Sequence, residues 1–192
     1  MSHQSLFYAI LGPTIIFALV NALVEAVNAK TLNPLQQPLS AYLTAPKLGW
    51  LQSLAYLGFA AAMPLIAVYF NAPGYERVAF DIAGAALVLV VVTKWVIYFY
   101  PSTHLIVEDL HVVSAGIAFL CCTLGLYFHN EGTRQAGLIW MPVVALLVVV
   151  FFWDTLEPEI VRIFGVIPDK QSMEEKAYTF PLIMVFLMSL LA

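Results

Sequence analysis

The densest chemistry in the chain is the segment His104-Leu-Ile-Val-Glu108-Asp109-Leu-His111. On a helix, residues spaced i, i+4 and i+7 share a face, so His104, Glu108 and His111 could present two imidazoles and a carboxylate to one metal ion. Pro101 works against that set. It reads 101–106 as a loop and so moves His104 off the helix. A di-iron bundle site would need a second Glu-x-x-His pair, and the chain has one. The same segment also fits acid–base work. His111 would be the proton carrier, with Glu108, Asp109 and Lys94 setting its charge. A structural role is open too: Glu108 and Asp109 are the charges that a helix N-terminus favours, and His111 is suited to a hydrogen bond across helices.

Lys94 is the second residue of interest. It lies about 9 Å inside the apolar stretch that ends at Tyr100, at about 1.5 Å per residue. A lysine there either snorkels to the headgroups or pairs with an acid, the candidates being Glu25, Glu108, Asp109 and Asp154. Glu25, Lys94 and Asp154 could also form a proton relay. Ser40, Ser102 and Ser114 are possible nucleophiles, with His111 as base and Asp109 or Asp154 as orienting group. No G-x-S-x-G motif is present. The adjacent Cys121 and Cys122 point in different directions on a helix, so they read as small core residues.

The elements that must position these groups are set by composition. The chain has 192 residues, of which 62% are hydrophobic and 10% charged, and its mean hydropathy is +0.89. Too few polar groups exist to cover a water-exposed surface, which excludes a soluble domain and a disordered chain. The net charge of −4 and the lack of a basic stripe exclude nucleic acid as a partner. What remains is an all-α, polytopic integral membrane bundle in one domain, with the lipid bilayer as its surroundings. Six apolar runs predict six transmembrane helices, at about 6–27, 48–70, 78–100, 107–128, 137–153 and 177–192. No Lys or Arg precedes the first run, so it reads as a retained span, not a signal peptide.

The connections differ in kind. Segments 71–77 and 129–136 are short polar turns. Segment 28–47 carries three prolines, 101–106 is brief, and 154–176 is long and acidic. Within the last, Pro158 to Phe164 is expected to be an interfacial helix with Pro158 in its first turn. With six spans, connections 28–47, 101–106 and 154–176 share one membrane face. Glu25, Lys94, His104, Glu108, Asp109, His111, Asp154, Glu174, Glu175 and Lys176 all fall near it, as do Trp50, Trp95, Tyr98 and Trp153. Lys30, Lys47, Arg162, Lys170 and Lys176 on that face outnumber Arg77 and Arg134 on the other, which points it towards the cytoplasm. Lys94→Ala and His111→Ala are expected to be more harmful than His129→Ala, since His129 lies at the opposite end.

Three stretches carry a family resemblance: QQPLSAYLTAPKLGWLQSLAYLGFAAA, FYPSTHLIVEDLHVVSAGIAFLCC and MEEKAYTFPLIMVFLMSLL. Together they resemble the prokaryotic six-span family catalogued as domain of unknown function 998, itself similar to the Frag1/DRAM-like membrane proteins. On that resemblance Ser40 matches the Ser of a P-x-S segment, and His111 matches a His at the start of span four. The acidic residue usual after the span-three Pro is replaced here by Ser102-Thr103-His104. The resemblance implies a six-helix fold in a prokaryotic cytoplasmic (inner) membrane and no established activity.

Three functions fit these residues. One is a membrane-embedded enzyme or binder with a one-sided polar pocket for a lipid or apolar small molecule. Another is a proton- or solute-coupled carrier. The last is a non-catalytic accessory subunit of a membrane complex. A carrier should hold ionisable groups through the whole membrane depth and often shows related halves. This chain gathers them at one end and has no internal repeat, which favours the one-sided pocket.

Overall fold

The computed structural model describes residues 2–131 and 136–191. Its described residues form seven α-helices: α1 (His3–Asn28), α2 (Gly49–Tyr69), α3 (Gly74–Phe99), α4 (His104–Asn130), α5 (Trp140–Phe151), α6 (Trp153–Phe164) and α7 (Lys170–Leu191). Short 3-10 turns lie at Leu39–Thr44, Pro101–Thr103 and Ala136–Ile139. Helices α1 to α4 are each long and apolar enough to cross a membrane. A fifth span results only if α5 and α6 count as one, and these meet at 85°.

Of the six expected spans, the first four are found as α1 to α4 with shifted ends, and the last two are helical without passing as single membrane-length apolar helices. Segment 71–77 is not all turn, because α3 begins at Gly74 with Glu76 in its first turn. The fifth run becomes a 3-10 turn followed by the 12 residues of α5. The sixth begins at Lys170, seven residues before the expected 177, so its first two turns carry Lys170, Glu174, Glu175 and Lys176. Asp169 makes that early start favourable, since its Oδ2 accepts from Ser172 N–H at 2.7 Å as an N-cap. Pro158 is not in a first turn: α6 starts at Trp153, and the proline sits inside it. Arg134 and Ala192 lie outside the described residues.

Helices α1, α2, α3 and α4 pack each against the next, α5 packs along α7, and α7 reaches back to α1 and α4. Small residues permit the close approaches, as expected where packing rather than water drives helix association. A Cβ at Gly84 would stand 2.8 Å from Ala60 O, and one at Gly125 would stand 2.8 Å from Phe80 Cζ. Rings then tie α1, α2 and α7 together: Phe17 stacks on Phe59 at 4.7 Å, and Phe59 meets Phe186 edge-on at 5.7 Å. Large apolar side chains such as Leu19, Val92 and Val113 cover the outside, the surface a hydrocarbon solvent accepts.

Segment 28–47 is bound down at both ends. Asn28 donates through Nδ2 to Lys47 O at 2.7 Å, and Tyr42 donates its hydroxyl to Leu32 O at 3.0 Å. The chain enters α2 through Leu48, which has a φ of 60°. Gly49 follows because a Cβ there would lie 2.9 Å from Tyr42 O. These contacts fix the 3-10 turn Leu39–Thr44 beneath the end of the bundle and present Ser40 inward.

Candidate functional site

A cavity of about 490 Å³ lies between α4, α5, α7 and the turn Leu39–Thr44. Its volume falls in the range of small-molecule sites. One face of α4 lines it from His111 to Thr123, about 18 Å at about 1.5 Å per residue. Val143 and Leu146 of α5 close the apolar side, and Gln171, Glu174, Glu175 and Tyr178 of α7 add polar groups. Gly116 widens the middle, since a Cβ there would meet nothing within 4 Å.

His111 stands at the polar end and is 3% exposed. Its Nδ1 lies 3.1 Å from Val90 O and 3.0 Å from Thr93 Oγ1. A carbonyl oxygen only accepts, so Nδ1 carries the proton and donates it to Val90. Thr93 in turn donates its hydroxyl to Leu89 O at 2.7 Å. In the neutral ring Nε2 is then a free lone pair, and it is buried without a hydrogen-bond partner. His111 is also one of the residues that line the cavity. An unpartnered buried acceptor such as Nε2 is costly.

Glu175 accepts from the Ser40 backbone N–H at 3.3 Å, which brings two cavity residues from distant parts of the chain together. Lys94 lies within electrostatic range of both His111 and Glu175, and Glu108 within range of His111. Lys94 forms no ion pair among the described residues, so none of its four expected acidic partners holds it. Glu25 is taken by Lys176 at 2.8 Å. Lys176 also donates to Pro34 O, while Ser172 Oγ donates to Gln37 O at 2.6 Å. Segment 28–47 is thereby fastened to the start of α7. Burial, with the Glu25 charge second, pushes the Tyr42 phenol up to about 12, so it stays a neutral donor to Leu32 O.

The remaining expected residues do not converge. His104 is the first residue of α4, not part of a loop, and it is exposed. Asp109 and Asp154 are exposed as well. Among the described residues no three His, Cys, Asp or Glu side chains approach closely enough to hold a metal, so the His104–Glu108–His111 set is not assembled. His104 is out on the surface while His111 turns inward to α3. Ser114 is buried and spends its hydroxyl on Leu110 O at 2.7 Å, as a helix-satisfied side chain does. Trp95 is more than an interfacial ring, since its Nε1–H donates to Ser53 Oγ at 2.9 Å.

Sequence reasoning placed Glu174 and Glu175 near this face but not in the site, and it passed over Gln171 and Tyr178. A signal was present. Gln171, Glu174, Glu175 and Tyr178 recur at three- and four-residue steps, which puts them on one face of a helix.

The opposite end holds a correction. His129 is not an idle reference: its Nδ1 lies 3.2 Å from Glu76 Oε1, and its ring stacks on Phe70 with centroids 3.5 Å apart. Glu76 is buried, so His129→Ala strands a carboxylate. We expect His129→Ala to lower stability by about 1–3 kcal/mol, read as thermal unfolding in detergent, with His129→Gln losing less. A neutral His129→Ala would show that the Glu76 contact contributes nothing.

No family model, no curated protein and no solved structure matches this chain.

Proposed function

We propose that the chain is a six-span integral membrane protein that binds a lipid or other apolar small molecule in the cavity between α4, α5 and α7. In this reading α5 and α7 are the fifth and sixth spans, α6 lies along the interface, and the resemblance to the domain of unknown function 998 family describes its kin. His111 is the group that meets the ligand's polar end, with Ser40 and Glu175 beside it, and Lys94 and Glu108 set the local charge. The observation that carries the reading is a long, largely apolar cavity whose lining includes His111, Ser40, Glu174 and Glu175. The same nitrogen is a base if the protein is an enzyme. The carrier reading is less well supported. Its relay needs Glu25, Lys94 and Asp154, yet Glu25 is paired with Lys176 and Asp154 is exposed.

Native mass spectrometry of the gently solubilised protein tests this. The expected result is a stoichiometric extra mass of one lipid or small molecule, reduced in occupancy by about tenfold in His111→Ala through loss of one buried hydrogen bond. A bare protein under conditions that retain lipid on other membrane proteins would remove the reading.

A further inference from the structure

From the acceptor-dominated end of this cavity we infer that its ligand is a single-chain amphiphile with a cationic amine head. The inference rests on the binding reading above and adds the chemistry of the head. Glu174 and Glu175 line the polar end, and no Lys or Arg does among the described residues. The end therefore offers the oxygens of two acidic side chains as acceptors, and an ammonium supplies up to three donors and the opposite charge.

The nearby cations do not fill that role. Lys176 is engaged by Glu25 and Pro34 O. Lys170 stands 4.0 Å from Glu174 at the exposed rim. Lys94 lies within range of Glu175 but does not line the cavity. A carboxylate or phosphate head would bring a like charge to Glu174 and Glu175. The apolar wall along α4 runs from Val112 to Leu120 and is open at Gly116, a length that one extended alkyl chain can follow.

The test uses the full chain in nanodiscs of a zwitterionic lipid. Dodecylamine, dodecanol and dodecanoate are titrated separately at pH 7, with binding read by native mass spectrometry and by thermal stability. The expected order is amine over alcohol over carboxylate. The amine binds at least about tenfold tighter than the carboxylate, the worth of one charge-assisted hydrogen bond. The Glu174→Gln/Glu175→Gln variant keeps chain binding and loses the preference. Should that variant not fold, Glu174→Gln alone, at a half-exposed position, reports the same loss in part. Gly116→Trp fills the wall and weakens all three. Equal or tighter binding of dodecanoate, or a preference that survives the glutamine substitutions, overturns the amine head and leaves chain binding standing. Failure of all three to bind overturns the binding reading as well.

Discussion

Gly125→Ala should lower thermal stability by about 1–3 kcal/mol, the usual cost of overpacking a filled core, while Gly116→Ala should raise it by up to about 1 kcal/mol through helix propensity. Both glycines lie on α4 and both substitutions add one methyl group. They differ only in what the methyl meets. At Gly125 three atoms of the Phe80 ring stand 2.8–3.1 Å from the new Cβ. Phe80 is fully buried and wedged between α2, α3 and α4, so its ring cannot swing away. The α3–α4 interface must open instead. At Gly116 the methyl enters the cavity and touches nothing. Unfolding of the two variants in one detergent, side by side, checks this. Equal losses would mean that the cavity is closed around Gly116. Equal tolerance would mean that α3 and α4 are further apart than described.

Lys176→Met should be the most damaging single substitution at the polar end, at about 3–5 kcal/mol, the loss seen when one partner of a buried ion pair is removed. The Lys176 and Glu25 side chains are only 12% and 16% exposed, and their charges lie 2.8 Å apart. Removing the ammonium leaves Glu25 without its counterion and Pro34 O with only the long 3.4 Å bond from Ser172 Oγ. It also loosens segment 28–47, which carries Ser40 to the cavity. Removing both charges is a different matter. Glu25→Leu/Lys176→Met leaves no unpaired ion, and well-packed apolar replacements of buried pairs are often neutral. We therefore expect the double variant to recover most of the loss, so that a double-mutant cycle returns a coupling of about 2 kcal/mol or more. Additive single effects would mean that the two charges are solvated separately. Ligand binding by a recovered double variant would further show that this pair is a fastening and not part of the pocket.

Much of this molecule is written in its sequence. The lengths of the apolar runs placed α1 to α4 within a few residues, because a helix in hydrocarbon must satisfy its own backbone and needs enough apolar length to do so. The gathering of His111, Glu108, Lys94, Ser40 and Glu175 near one end was legible too, since every second connection returns to the same end of an up-and-down bundle. Ends were less legible where a polar side chain extended a helix beyond its apolar run, as Asp169 does for α7. Partners were hidden altogether. Nothing along the chain says that Lys176 takes Glu25, that His111 turns to Val90 and not to His104, or that Glu76 meets His129. The reason is physical. In a water-soluble helix the apolar stripe reveals which face packs inward. Here lipid and core are equally apolar, so faces such as those of Leu19 and Val24 on α1 look alike in sequence while one is exposed and the other buried. The sequence by itself determined an all-α chain of apolar runs with a polar end, and of the six spans it predicted the first four are membrane-length helices. Only the tertiary arrangement, with α7 reaching α4 and α5 packed along α7, decided that this end opens into a cavity, and which of its charges are already spent on one another.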